Sequence, residues 1–138
     1  MAKECLCQAS EIVVFPCSGG SNCGQIANDV AVHLTEEGIG TLFCLAGIGA
    51  HVPGMIESAK SAKRIVAIDG CSVECAKKTL EHAGLAITDY VDITKEGIAK
   101  NKNFKLSQQD IFFIVKRVKQ ELKKGSRHGK KLVSDYRL

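Results

Sequence analysis

Four cysteines follow short apolar runs at a regular spacing, and thiols bind metals or carry redox chemistry. Cys17, Cys44, Cys71 and Cys75 are spaced C-x26-C-x26-C-x3-C. The last two follow the apolar run 65–68, in a segment that we predict to open a helix, where residues i and i+4 share one face. If a sheet brings all four thiols together, they form a closed metal site, and zinc suits such a site best.

Two alternatives to zinc stay open at this point. An iron–sulfur cluster also uses four cysteines, but its usual ligands lie closer together in sequence. A thiol enzyme or redox carrier would instead react through Cys17 and Cys23, or through a metal-bound thiolate. Cys23 is expected near the start of a helix, where a cysteine often has a lowered pKa. Buried packing is the competing role for Cys23, and whether the protein is an enzyme is left undecided.

Length and composition indicate a single globular domain. The chain has 138 residues, of which 45% are hydrophobic and 25% charged, and it can bury a core without disulfides. No stretch is apolar enough to span a membrane, and the N-terminus lacks the apolar core of a signal peptide. We therefore expect a cytoplasmic protein, in which seven cysteines point to metal or redox chemistry rather than to a disulfide framework.

The positive charge is concentrated at the C-terminus. From Lys123 onward the chain has six basic residues and one acidic residue, so the remainder is close to neutral although the whole carries +4. Aromatic residues are scarce and tryptophan is absent. We therefore expect no nucleic-acid partner and no membrane partner. The predicted organisation is an N-terminal extension (1–9), one α/β domain (10–124) and a basic, flexible tail (125–138).

Strands and helices are predicted to alternate along the chain. Continuous apolar runs indicate buried strands, and stripes with a helical period indicate amphipathic helices. The predicted strands are 12–15, 41–45, 65–68 and 86–91. The predicted helices follow the loop 17–21, begin at Pro53, run from about Ser72 to His82, and follow the capping-box sequence 107–110.

This alternation predicts a three-layer, doubly wound α/β fold, with a mainly parallel four-stranded sheet covered by helices on both faces. The simplest strand order is 2-1-3-4. Open α/β sheets bind ligands beyond the carboxyl ends of their strands. Cys17, Cys44 and Cys71 all fall at such ends, on three neighbouring strands, so the sequence predicts that they converge.

Other side chains near these strand ends are weaker candidates. His51 follows the strand of Cys44 and could replace a ligand or act as an acid–base group. Asp69 could accept a hydrogen bond from loop amides and hold the turn at Cys71. His33 and His82 lie within predicted helices and are interpreted as structural or exposed.

The loop after the first strand is rich in small residues. Ser18, Gly19, Gly20 and Ser21 precede a helix, an arrangement that can bind an anion through backbone N–H groups. The loop is similar to the Cys-x5-Arg loop of low-molecular-weight phosphatases, but Cys23 occupies the arginine position, so the oxyanion clamp is missing. Phosphatase chemistry is therefore not expected, and no Walker sequence is present.

Three ordered motifs resemble the DGC-domain family, which is described as zinc-binding and is named after Asp69-Gly70-Cys71. The resemblance covers roughly residues 10–124. The matching segments are Pro16-Cys17-Ser18-Gly19-Gly20-Ser21-Asn22, Phe43-Cys44-Leu45-Ala46-Gly47-Ile48-Gly49, and Ile68-Asp69-Gly70-Cys71 with Cys75-Ala76-Lys77-Lys78.

The resemblance implies one zinc ion held by Cys17, Cys44, Cys71 and Cys75. Cys5, Cys7 and Cys23 lie outside this four-cysteine pattern. The family supplies no reaction, so any further partner is an unidentified small molecule or protein, and the oligomeric state stays open.

Overall fold

A four-stranded parallel sheet forms the centre of the protein, whose computed structural model describes residues 11–127. The strands are β1 (Ile12–Pro16), β2 (Thr41–Leu42), β3 (Arg64–Asp69) and β4 (Asp89–Asp92). Every pairing is parallel, and the order across the sheet is β2-β1-β3-β4. The predicted fold class and strand order are both confirmed.

Five α-helices connect and cover the strands of this described part. They are α1 (Asn22–Glu36), α2 (Leu45–Gly49), α3 (Pro53–Lys60), α4 (Cys75–His82) and α5 (Gln108–Arg127). A 3₁₀ turn (Ile93–Glu96) follows β4. The predicted extension 1–9 and the tail beyond residue 127 lie outside the described residues, while α5 continues into the segment 125–127.

Each face of the sheet has its own apolar core. On one face, Val14, Val66 and Ile68 pack with the apolar sides of α1 and α5. On the other, Phe15 and Ala67 pack with residues of α2, α3 and α4. Alternate residues of each strand point to opposite faces, so the central strands β1 and β3 are apolar on both sides. This arrangement is the predicted three-layer architecture.

Local signals fix several helix ends. The Ser21 side chain accepts from the Gly24 amide (3.1 Å) at the start of α1. Gly38, just beyond the end of α1, has a φ of 73°, a left-handed conformation that glycine adopts without steric cost. The Ser107 side chain accepts from the Asp110 amide (3.3 Å) at the start of α5.

Two predicted strands differ from the observed ones by more than one residue at an end. β2 stops at Leu42, and the chain then enters α2, where a strand end and a loop were predicted. The α2 turn forms because the Ile48 amide bonds to the Cys44 carbonyl (3.2 Å) and Ile48 is fully buried against the sheet. The fourth strand is Asp89–Asp92 rather than 86–91.

Within residues 11–127, no helix is both long enough and apolar enough to cross a membrane.

Candidate thiol site at the carboxyl edge of the sheet

Three of the four predicted ligands lie at the carboxyl ends of adjacent strands. Cys17 directly follows β1, and its amide donates to the Ile68 carbonyl (2.8 Å), which extends the pairing with β3. Cys44 lies two residues beyond β2, and Cys71 lies two residues beyond β3. The strand order β2-β1-β3 therefore brings all three cysteines to one edge of the sheet, with Cys17 on the middle strand.

Cys17 is half-buried in the loop that leads to α1. Its Sγ accepts from the Gly19 amide at 3.3 Å. Burial raises the pKa of the Cys17 thiol, the Gly19 and Gly70 amides act in the opposite direction, and the charges of Asp69 and Cys75 raise it further. Cys17 is therefore a neutral thiol in the metal-free protein at neutral pH, and Cys75 lies close enough to interact with it electrostatically.

The Asp69 carboxylate organises the start of α4. Asp69 is 1% exposed, and its oxygens accept from the amides of Ala76 (2.7 Å) and Lys77 (3.0 Å). The Tyr90 hydroxyl donates to the same carboxylate at 3.0 Å. These bonds satisfy two amides that the first turn of a helix leaves unpaired. Asp69 thus accepts from backbone amides, but the amides belong to the first turn of α4 and not, as predicted, to the loop.

The start of α4 corrects the prediction for Cys71 and Cys75. The helix begins at Cys75 rather than at about Ser72, because the Asp69 carboxylate caps the amides of the two residues after Cys75. Glu74, just before the helix, has a left-handed φ of 62°. Cys71 therefore lies in a turn outside α4, and the two thiols do not share a helix face.

Cys44 and His51 lie toward the α2 side of the edge. Cys44 is exposed and is the residue that precedes α2, where its side chain makes no capping bond. The His51 ring packs against that of His82, with the centroids 5.2 Å apart. His82 ends α4 and Cys75 begins it, so His51 lies beside the end of this helix that is remote from Cys75. The helical positions predicted for His33 and His82 are confirmed.

The small residues after β1 form a tight, internally bonded loop. The Gln25 side chain donates to the carbonyls of Ser18 (3.2 Å) and Gly19 (3.0 Å). A Cβ at Gly24 would lie only 2.6 Å from the Gly19 carbonyl oxygen. Close backbone packing therefore accounts for a glycine at this position. Ser21 is committed to capping α1, and Gly20 accepts a hydrogen bond from the Lys102 side chain.

Cys23 lies in the core beneath the site. Its side chain is fully buried, and its thiol donates to the Ile98 carbonyl at 3.7 Å. Burial raises the pKa of Cys23, and the charges of Cys71 and Asp92 raise it further. Cys23 is therefore a neutral, packed thiol close to Cys71.

Sequence reasoning missed Lys100. Its Nζ lies 3.3 Å from the Cys71 Sγ, although the two residues are 29 positions apart. Lys100 belongs to an irregular segment with no helical or strand period, so no local pattern pairs it with a thiol. A lysine-rich stretch beyond the fourth predicted strand was the one available signal.

The donor chemistry suits zinc, but the four sulfurs do not surround one point in this conformation. Four thiols match a closed zinc site. Among residues 11–127, no group of three or more His, Cys, Asp or Glu side chains is close enough together to hold a metal ion. Coordination by all four thiols would therefore require the loops that follow β1, β2 and β3, which we call the edge loops, to move closer together.

Comparison with known proteins gives concordant results. A family model described as the DGC domain matches residues 13–118. The anaerobic and virulence modulator AnvM of Pseudomonas aeruginosa is 34% identical over 98 residues, which are 71% of this chain and 75% of that protein. No solved structure matches the chain. Because the family model covers most of the sequence, the resemblance read from the three motifs is confirmed, and the chain belongs to the DGC domain family.

Proposed function

We propose that this protein binds one zinc ion through the thiolates of Cys17, Cys44, Cys71 and Cys75. The observation that carries the proposal is the topology. Adjacent strands β2, β1 and β3 each lead into a cysteine at the same edge of the sheet, and a fourth cysteine begins α4. This edge is where open α/β sheets bind ligands.

Donor groups beside two of the sulfurs support the proposal. The Gly19 amide donates to Cys17, and the Lys100 ammonium donates to Cys71. Such bonds stabilise thiolates and are typical of the groups that surround metal ligands. Bound zinc would supply a closed structural link between the edge loops.

The fold is expected to persist without zinc. Both faces of the sheet are covered by buried apolar side chains, whereas a small zinc finger has no such core and unfolds without its metal. Cys44 and Cys75 are exposed. Zinc binding would therefore bring the edge loops together on a domain that is already folded. The metal would fix the conformation of these loops and would not be needed for folding of the domain.

Metal content of defined variants tests the proposal. Protein purified without added metal should contain about one zinc per chain by plasma emission spectroscopy. Cys71→Ser should release the metal and lower the melting temperature, while the far-ultraviolet circular dichroism spectrum stays helical. Iron with sulfide, or no metal in any preparation, would contradict the proposal. A random-coil spectrum for Cys71→Ser would contradict a domain that folds without the metal.

Cys23→Ala is the matched control, because Cys23 lies next to the site but outside the proposed ligand set. This variant should keep its zinc. Loss of zinc from Cys23→Ala would instead make Cys23 a ligand and refute the four-residue assignment. If the fastest alkylating thiol disappears while zinc is kept, Cys23 is the reactive group.

A second candidate is a thiol-based redox function. The observation that favours it is the placement of several free thiols at one edge of the sheet, with Cys17 after β1, Cys71 after β3 and Cys75 at the start of α4. The relative AnvM is named an anaerobic and virulence modulator, which is compatible with a thiol whose oxidation depends on oxygen. Disulfide mapping by mass spectrometry after mild oxidation tests this function. A Cys17–Cys75 bridge that a reductant reverses would support it, and unchanged free thiols would refute it.

A further inference from the structure

One irregular segment, residues 98–103, crosses the N-terminus of α1 and reaches the thiol edge. We call it the strap. Its backbone is held by Asn22, whose side-chain amide donates to the Ala99 carbonyl (2.9 Å) and whose side-chain oxygen accepts from the Asn101 amide (2.6 Å). The backbone N–H of Asn22 also donates to the Asn101 carbonyl at 3.0 Å. Asn22 is only 8% exposed, so water competes little for these bonds and the strap backbone is fixed.

Two lysines of the strap bond to the two loops that carry thiols. Lys100 donates to the Cys71 Sγ at 3.3 Å. Lys102 donates to the Gly20 carbonyl in the loop after Cys17. The anchored residues Ala99 and Asn101 flank Lys100 directly, so its backbone position is set by Asn22 rather than by chance contact of a long side chain.

We propose that Lys100 is a positioning residue for the metal site. Its ammonium holds the Cys71 sulfur and offsets the negative charge of the thiolate set. Four thiolates around Zn²⁺ leave a net charge of −2, so a cation in contact with one sulfur slows the loss of metal. This inference rests on the proposed function, and it adds a specific cation that governs how firmly the metal is kept.

Zinc release in a chelator competition tests the inference. Lys100→Ala should lose zinc about tenfold faster than the wild type, the lower end of effects seen when groups around metal ligands are removed. Lys100→Arg keeps the charge and the donors and should restore most of the retention. Lys105→Ala is the matched control, because Lys105 is an exposed lysine just beyond the strap and its removal changes the net charge equally. Equal release from Lys100→Ala and Lys105→Ala would overturn the inference.

The contact between Lys100 and Cys71 can also be tested in protein that holds no zinc. Labelling of Cys71 by anionic iodoacetate and by neutral iodoacetamide is compared by mass spectrometry in the reduced, chelator-treated protein. The ratio of the two rates cancels the intrinsic reactivity of the thiol and reports the local charge. Removing one cation close to the reaction centre should lower the ratio at Cys71 about threefold in Lys100→Ala, while the ratio at the exposed Cys44 stays constant.

The two measurements separate the possible failures. If the wild type binds no zinc but the labelling ratio falls as expected, the proposed function fails and Lys100 still governs the charge at Cys71. If zinc binds and neither release nor the ratio responds to Lys100→Ala, the proposed function stands and the role of Lys100 is refuted.

Discussion

Replacing Asp69 with asparagine should destabilise the protein far more than its small change in shape indicates. Asp69 is 1% exposed and accepts three hydrogen bonds. Oδ1 accepts a hydrogen bond from the Ala76 amide, and Oδ2 accepts hydrogen bonds from the Lys77 amide and the Tyr90 hydroxyl. Asparagine keeps one acceptor, but its NH₂ group faces the Lys77 donor, so at least that bond is lost.

The magnitude follows from the bonds that asparagine cannot make. A hydrogen bond to a charged group contributes about 1.5–3 kcal/mol. Lys77 is half-buried, so water recovers part of the loss, and the Tyr90 hydroxyl can rotate to accept from the new amide. We expect Asp69→Asn to lower the free energy of unfolding by about 2–3 kcal/mol. For a domain of this length the melting temperature should fall by about 6–9 °C.

Asp92→Asn is the control for this experiment. Asp92 is the partner of Asp69 in the β3–β4 register and is also buried, at 4% exposure. Its Oδ1 accepts from the amide and hydroxyl of Thr94, while Oδ2 has no hydrogen-bond partner within the described region. Asparagine can keep the Oδ1 bonds and replace the unpaired oxygen, so the change in stability should stay within about 1 kcal/mol.

Thermal and urea unfolding of both variants measure the difference. A fall of less than about 2 °C in the melting temperature of Asp69→Asn, or an equal fall in Asp92→Asn, would refute the role assigned to the Asp69 carboxylate.

Three further predictions concern the surroundings of the site. Gly70→Ala should destabilise by about 1–3 kcal/mol in urea unfolding, because the new Cβ would lie 2.7 Å from the Gly24 backbone nitrogen; unchanged stability would contradict this packing. Arg64→Ala leaves the Asp89 carboxylate, which is 6% exposed, without its ion-pair partner at 2.6 Å. The free energy of unfolding in urea should therefore fall by about 3–5 kcal/mol, and a fall of less than about 1 kcal/mol would contradict this role of Arg64. Burial raises the pKa of Tyr90 in the folded protein. The stability that Tyr90 contributes is therefore fully present below the usual tyrosine pKa of about 10 and is lost as the pH rises above that value. Tyr90→Phe should therefore lose less stability than the wild type between about pH 9 and 11, and parallel pH profiles would contradict this.

The sequence was sufficient to predict how the fold places Cys17, Cys44 and Cys71. β1 and β3 are short apolar runs that are buried on both faces. A helix follows each of β1, β2 and β3, so a parallel sheet with the cysteines at one edge follows from general rules of α/β folds. The left-handed conformation at Gly38 also follows from a local rule, because glycine adopts it at low cost after a helix.

The remaining details depend on contacts that local patterns do not encode. The start of α4 depends on the Asp69 side chain, which caps amides seven and eight residues later, whereas periodicity alone extended the helix back to Ser72. The helix at α2 contains two glycines and forms because burial of Ile48 outweighs their weak helix propensity. The bond from Lys100 to Cys71 requires the strap to be fixed by Asn22, which is a tertiary interaction.

X-ray absorption at the zinc edge identifies the atoms bound to the metal and is therefore the decisive test of a four-thiolate zinc site. The protein is purified without added metal, and its zinc spectrum is compared with that of Cys23→Ala. We expect four sulfur atoms at about 2.3 Å from the zinc in both proteins. Nitrogen or oxygen atoms in that shell, a sulfur lost in Cys23→Ala, or the absence of bound zinc would contradict it.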